Sequence, residues 1–345
     1  MKFIELKNDY KISPIIKGGW QLSDGHTIDG GIDQDQAVED MISFIEAGVT
    51  TLDFGDIYTG VEELVGRALQ VLRGKYGDQA RQMLQLHTKY VPNNDHLENL
   101  DTNDARNILT RSCERLGVEQ VDLVQFHWWR YEAPGYLKAL ERLFELQDEG
   151  LVRFVGITNF DAQRIREMIS AGLTPQSIQL QYSLLDRRPE GGMLDLCEEN
   201  DIAVLCYGTV AGGYLSNRYL GVSEPPMETR SNVKYRLIID EFGGWDLYQE
   251  LLSTLNIVAK KHGTDIATIA SAYVLKQKAV KAVIVGARNL NHLDSNLQIP
   301  EIKFDNDDHM AIQAVLSRSQ GPSGPVYHLE RYSARHRDIM HTNNN

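Results

Sequence analysis

Residues 50 to 58 read Thr50-Thr51-Leu52-Asp53-Phe54-Gly55-Asp56-Ile57-Tyr58. A short β-branched and apolar run ends on a carboxylate, and a tyrosine follows at the mouth of a loop. The pattern of a brief buried strand closed by a polar residue recurs down the chain. Strands are expected at Ile15-Ile16, Thr50 to Phe54, Met83 to Thr88, Val121 to Phe126, Val152 to Ile157, Ser177 to Leu180, Ala203 to Tyr207 and Ala282 to Val285. Between them lie amphipathic segments expected as helices at about residues 34–47, 62–73, 102–116, 135–149, 161–171, 190–200, 244–262 and 264–277. In 135–149, Leu137, Leu140, Leu143 and Phe144 form the stripe of a helix lying on a sheet.

Strict alternation of strand and helix calls for parallel strands joined by right-handed crossovers. Eight such units point to a closed (β/α)8 TIM barrel within the α/β class. An open dinucleotide-binding sheet would carry a three-glycine fingerprint after its first strand. Gly18-Gly19-Trp20 lacks the third glycine, and Gln21 to Asp33 is polar. Phe3 to Ile12, centred on Asn8-Asp9, is expected as an N-terminal β-hairpin. The expected division is one domain over 1–345: hairpin 1–13, barrel 14–300, and a C-terminal extension 301–345 over the barrel.

Composition narrows the functional classes. With 42% hydrophobic and 24% charged residues the chain is of ordinary globular type. A formal charge of −13 without a Lys/Arg cluster argues against nucleic acid and anionic membranes as partners. Cys113, Cys197 and Cys206 are sparse and odd in number, which suits thiols in a reducing cytoplasm. The N-terminus is charged too early for a secretory signal. No apolar run reaches the roughly 18 residues of a membrane span. No metal site is expected, and the oligomeric state is left open.

Active sites of such barrels lie at the carboxyl ends of the strands. Asp53, Lys89, His127 and Asn159 each stand at or just past a strand end. Taken singly, each has an ordinary structural reading as a cap, a solvated cation or a half-buried ring. Their shared position is what argues for a site. Trp20, Trp128 and Trp129 also stand at or just beyond strand ends, which suggests an aromatic-walled pocket.

These residues resemble the aldo-keto reductase superfamily. The resemblance is carried by Leu52 to Tyr58 with Glu62 four places on, Leu86-His87-Thr88-Lys89, Val121 to Trp128, Val155 to Phe160 and Gln179 to Tyr182. It continues in Tyr207 to Leu215 and in Ile284 to Asn289, with Asn296 seven later. It runs in order from about residue 12 to about residue 300. It implies NAD(P)H held without a dinucleotide fold, and reduction of a small aldehyde or ketone to an alcohol, or the reverse on a sugar or polyol. Tyr58 would give the proton, with Lys89 nearby to favour the phenolate, since a free phenol has a pKa of about 10. Asp53 would hold Lys89, and His127 would hydrogen-bond the carbonyl oxygen.

By the same resemblance Thr158, Asn159 and Gln179 would meet the nicotinamide carboxamide, and Tyr207 would stack on its ring. The backbone of Gly208, Thr209, Val210 and Gly213, with Leu215, would wrap the pyrophosphate. Gly19, Trp20 and Asp53 are also assigned to the cofactor, and Trp20, Tyr58, His127 and Trp128 to the substrate. Toward the adenosine end the positions of the Lys-Ser and Arg of many reductases read Gly286, Ala287 and His292. Arg288, Arg218 and Arg230 are the expected substitutes on a 2′-phosphate, because a dianion needs clustered cations, and His292 and Asn296 are also assigned to the cofactor. Pro225 to Ser231 resembles the cofactor-clasping loop of the branch that includes potassium-channel β subunits. NADPH is the expected cofactor and NADH the alternative. The rival functional class is a nucleotide-sensing module whose catalysis is incidental. Asp56 is expected either to touch the substrate rim or to cap the helix that begins near Glu62, the cap being the favoured reading.

Overall fold

The computed structural model describes residues 1–23, 31–101, 103–226 and 230–338, with side chains of the last segment from 232. Among the described residues ten strands form: β1 (Ile4–Lys7), β2 (Tyr10–Ile12), β3 (Ile15–Gly18), β4 (Thr51–Asp53), β5 (Gln85–Tyr90), β6 (Val121–Phe126), β7 (Val152–Thr158), β8 (Ser177–Gln181), β9 (Ala203–Tyr207) and β10 (Val280–Gly286). Strands β3 to β10 are all parallel. They close into a barrel in sequence order, with β10 paired to both β9 and β3. The expected α/β barrel with its N-terminal hairpin is what forms.

The hairpin turns on Asn8 (φ 45°) and Asp9 (φ 61°). Both side chains tolerate the left-handed region that a tight two-residue turn requires. Leu6, Tyr10 and Ile12 then pack on Leu123, Phe154 and Leu205, closing the amino end of the barrel interior. The Tyr10 ring stacks on Phe154 at 4.8 Å, and its hydroxyl lies 2.9 Å from His87 Nε2. Outside the strands, the helices bury an apolar stripe each. Leu140, Leu143 and Leu146 are inaccessible on the helix Tyr136–Asp148. Each such side chain contributes about 1.5–3 kcal/mol of burial.

Several elements depart from expectation. β5 starts at Gln85 rather than Met83 because Gln79–Met83 winds into a short helix. The helix expected at 190–200 covers only Met193–Glu199. Pro189 opens a separate turn at Arg188–Glu190, and Gly192 (φ 94°) breaks the path between them. Between the strand expected at Ala203 to Tyr207 and the helix expected from 244, where no element was expected, a helix runs over Arg230–Phe242. Tyr235, Ile238, Ile239 and Phe242 are buried from it at helical spacing. Beyond the barrel, Asn306–Leu316 is a helix with a reciprocal Asp305/Asp308 capping box, followed by short helices at His328–Tyr332 and Ala334–Arg337. Among the described residues no helix is long and apolar enough to cross a membrane.

Candidate active site

Strand alternation aims residues two apart at the same face. In β5 this sends His87 and Lys89 inward, while Thr88 faces outward to donate to Glu62 at 2.8 Å. In β6 and the loop after it, Gln125 and His127 share the interior. Asp53 ends β4 among them and is 4% exposed, so its charge must be met inside the protein. Its Oδ1 accepts from Lys89 Nζ at 2.5 Å, and its Oδ2 accepts from Gln125 Nε2 at 2.7 Å and Gln179 Nε2 at 2.6 Å. Lys89 also donates to the Phe54 carbonyl at 2.8 Å. Three strands thus converge on one carboxylate.

Tyr58 is half-buried, with the Lys89 ammonium 4.7 Å from its ring centroid. Burial opposes the charge on Lys89, but Asp53 and Tyr58 outweigh it and hold the ammonium above its ordinary range. For Tyr58 the balance goes against the expectation. Burial raises the phenol, Lys89 lowers it, Asp53 raises it again, and the net direction is up. The phenol therefore keeps its proton throughout the neutral range.

His127 stands one residue past β6 and is buried. Burial first, then the nearby guanidinium of Arg331, push its imidazole down to about 3. Its Nδ1 lies 3.2 Å from the Thr158 carbonyl oxygen. A carbonyl only accepts, so the single proton of the neutral ring sits on Nδ1. Nε2 is left with a lone pair, buried and without a partner. The expected hydrogen bond from His127 to a carbonyl oxygen does not suit this tautomer, because Nε2 accepts rather than donates.

The aromatic wall differs from expectation. Trp128 is wholly buried, 5.9 Å from the Phe126 centroid, and donates to the Ala133 carbonyl at 3.0 Å. It faces the core and offers nothing to a ligand. Trp129 is the ring beside the site, edge-on to His127 at 4.6 Å and anchored by a 2.9 Å bond to the Pro92 carbonyl. Trp20 is 37% exposed and meets Tyr58 edge-on at 5.0 Å. Tyr327, from the C-terminal segment, stands edge-on to His127 at 5.7 Å, and its position was not legible in the sequence.

The remaining candidates stand at or near the ends of β7 to β10. Thr158 ends β7 and is buried; Asn159 follows with φ 62°. Tyr207 ends β9, and its hydroxyl donates to Asn159 Oδ1 at 2.8 Å. Gln179 Nε2 is committed to Asp53, and Thr209 Oγ1 lies 2.8 Å from Ser271 Oγ, facing the helix behind it. Leu215 is a correction: its side chain is wholly buried and its amide bonds the Val210 carbonyl at 3.1 Å, so neither is free for a ligand. Gly208 and Gly212 both have positive φ and carry the edge of Tyr235 so closely that a Cβ on either would lie 2.5 Å from it. Only glycine permits that contact, and the loop from Gly208 to Gly213, with Val210 half-buried on it, is left as a nearly side-chain-free ledge. Such a ledge suits the close backbone approach of a pyrophosphate.

Gly19 donates its amide to the Asp53 carbonyl at 2.7 Å. Gly286 ends β10 against the Gln21 amide. Arg288 and His292 are exposed on the loop beyond, and Asn296 is half-buried. Arg218 is exposed, with its guanidinium 5.4 Å from the Tyr219 ring. The Arg230 side chain lies outside the described residues. Asp56 does not cap: it accepts from Arg111 Nε and Nη2 at 2.9 and 2.7 Å and from Arg115 at 2.8 Å, while Gly60 caps the helix Val61–Tyr76 without a side chain. Among the described residues no group of three or more His, Cys, Asp or Glu is arranged to hold a metal ion.

Comparison with known proteins agrees with this architecture. The chain is 25% identical over 328 residues to the NADH-specific methylglyoxal reductase of Escherichia coli, covering 89% of this chain and 96% of that one. It is 25% identical over 329 residues to the aldo-keto reductase YhdN of Bacillus subtilis, covering 90% and 92%. Among solved structures, the thermostable aldo-keto reductase Tm1743 superposes with a TM-score of 0.71 at 27% identity, over 91% of this chain and 100% of that one. The glycerol dehydrogenase AKR11B4 of Gluconobacter oxydans shares the fold with a TM-score of 0.74 at 24% identity, over 92% and 96%. The family model for aldo/keto reductases matches residues 14–317, from the first barrel strand to the helix beyond the last, and the chain belongs to the aldo/keto reductase family.

Proposed function

We propose that this protein is an NADPH-dependent reductase of small aldehydes and ketones, with Tyr58 as the proton donor. The family's use of NAD(P)H and of small carbonyl substrates supplies the class. The observation that carries the reading is the buried Lys89 ammonium, held by Asp53 at 2.5 Å and lying 4.7 Å from the Tyr58 ring. When bound, the reduced nicotinamide supplies the hydride. Negative charge then builds on the carbonyl oxygen and must be met by a donor. Tyr58 passes its proton to that oxygen, and Lys89 stabilises the phenolate left behind. Asp53 keeps Lys89 charged and aimed. His127, with its Nε2 lone pair, accepts from the hydroxyl of the resulting alcohol and holds it in place. Run backwards, the same contact orients an alcohol for oxidation.

When bound, the nicotinamide ring would stack on Tyr207 with Asn159 and Thr158 to hold its carboxamide, and the pyrophosphate would lie along the backbone of Gly208 to Gly213. Val210 and Thr209 contribute backbone only. Arg288, exposed just past the end of β10, is the residue we assign to a 2′-phosphate. The E. coli relative is named as NADH-specific, so this residue is the one to test. Arg288→Ala is expected to weaken NADPH far more than NADH in direct titration, and equal losses would remove the assignment. The function itself is tested by single-turnover oxidation of bound NADPH with 4-nitrobenzaldehyde. Retained binding without turnover of any carbonyl would favour the nucleotide-holding module instead.

A further inference from the structure

The C-terminal segment reaches across the barrel mouth and ends its reach in a guanidinium. Arg331, half-buried on the helix His328–Tyr332, donates from Nη1 to the Asn159 carbonyl at 2.8 Å and from Nη2 to the Trp128 carbonyl at 2.7 Å. These carbonyls belong to the loops after two neighbouring strands. Trp128 follows His127 directly, and Asn159 follows Thr158, whose own carbonyl takes the His127 proton. Asn159 has φ 62°, in the left-handed region that asparagine tolerates, and its carbonyl at that turn is the one Arg331 holds. The planar fork of Arg331 is itself fixed, 4.2 Å from the Tyr131 ring centroid and 5.0 Å from that of Tyr327. Tyr131 in turn accepts from the Asp161 amide at 3.1 Å, closing the turn that starts at Asn159.

We propose that Arg331 is a positioning residue of the active site: it bolts the ends of β6 and β7 together and so holds His127 and the left-handed Asn159 where the reaction needs them. The proposal rests on the reductase reading for the role of His127, and on family membership alone for the cofactor side. Two charged hydrogen bonds to carbonyls are not reproduced by lysine, whose point charge cannot span both acceptors. The consequence is that the C-terminal segment acts through these two strand ends without donating a group to the chemistry.

The test compares Arg331→Met and Arg331→Lys with the wild-type chain. Arg331→Met is expected to weaken NADPH binding, read by quenching of intrinsic fluorescence, and to lower kcat, each by about tenfold or more. Arg331→Lys should fall between. Amide hydrogen exchange over residues 157–161 should quicken in Arg331→Met while exchange in β3 and β4 stays unchanged. If Arg331→Met does not fold, a folded Arg331→Lys decides: weakened cofactor binding upholds the proposal and wild-type binding overturns it. Wild-type affinity, kcat and exchange in Arg331→Met would overturn it outright. A wild-type chain that turns over no carbonyl would instead refute the reductase reading, and the binding and exchange arms would still decide the role of Arg331.

Discussion

His127 Nδ1 and the Thr158 carbonyl oxygen, 3.2 Å apart, determine which ring nitrogen carries the proton. With burial and Arg331 holding the ring down to about 3, the imidazole stays neutral with its Nε2 lone pair toward the site. Tyr58 and Lys89 are both shifted upward, so neither changes charge between pH 5 and 8. The pH profile of kcat/KM for carbonyl reduction is therefore expected to be level over that range. An inflection near 6.5, the ordinary histidine value, would mean that His127 titrates and that its lone-pair role is wrong.

Loss of the proton donor should leave cofactor binding in place. Tyr58→Phe keeps the ring beside Trp20 and removes only the hydroxyl; Lys89→Met removes the ammonium but leaves Asp53 bonded by Gln125 and Gln179. Removing a positioned acid costs about 10²–10⁴ in rate. Single-turnover NADPH oxidation should fall by that order in Tyr58→Phe while the cofactor dissociation constant changes little. Equal turnover in the two proteins would exclude Tyr58 as donor.

Tyr327 narrows the space over His127, and the size of accepted substrates should follow it. The ring stands edge-on to His127 at 5.7 Å, as Trp129 does at 4.6 Å. Tyr327→Ala should raise kcat/KM for 2-naphthaldehyde relative to that for acetaldehyde by about tenfold, in line with what a pocket-wall change is worth. Tyr327→Phe should leave the ratio near that of the wild type. A ratio unmoved by the alanine would mean that the ring lies outside the substrate's reach.

The residues legible in sequence were those at strand ends. Asp53, Lys89 and His127 stood out because a short strand-like run closes on or just before each, and the barrel then brings these ends together. Legibility failed one residue further on. After Phe126 the strand period ceases, so nothing distinguished the inward ring of Trp129 from the buried ring of Trp128. The helix Arg230–Phe242 did carry a signal, Tyr235, Ile238, Ile239 and Phe242 at i, i+3, i+4 and i+7, but polar and proline-rich flanks masked it. The net direction of the Tyr58 shift is not legible in sequence for another reason. Sequence names the neighbouring Lys89 but not the depth of burial that outweighs it. Arg331 meets Asn159 across 172 residues, and no local pattern announces such a contact.

The amino end of the barrel should make stability sensitive to mild acid. His87 is inaccessible, and burial with the Lys89 charge pushes it down to about 3. Between the unfolded value of about 6.5 and the folded value, the unfolded chain binds the proton and the native one does not. Stability is then complete above pH 6.5 and falls as the pH drops, by up to about 1.4 kcal/mol per pH unit for a fully titrating imidazole. His127 adds to the slope with the same sign. Urea unfolding between pH 7 and 5 should therefore show a shallower decline in His87→Gln than in the wild type. Identical slopes would mean that His87 titrates alike in the native and unfolded chains and so adds nothing to the pH dependence.

Glu330 extends the same logic to the C-terminal segment at lower pH. Arg188 donates to Asp186 at 2.8 and 2.7 Å and to Glu330 at 3.0 Å twice, and all three side chains are at most 2% exposed. Burial alone would raise Glu330, but Arg188, with Lys234 beyond it, brings it down to about 2. A depressed carboxyl contributes stability that is present above its unfolded value of about 4.3 and is lost as the pH falls toward 2. Removing the shared cation leaves two buried carboxylates facing each other. Arg188→Met is accordingly expected to destabilise by about 3–5 kcal/mol, as breaking a buried pair does. Adding Glu330→Leu removes one of the stranded charges and should recover part of that loss. If the double variant were no more stable than Arg188→Met, the stranded carboxylate could not be the source of the cost, and the anchor of the tail would have to lie in Arg331 and the packing of Val326 and Tyr327 instead.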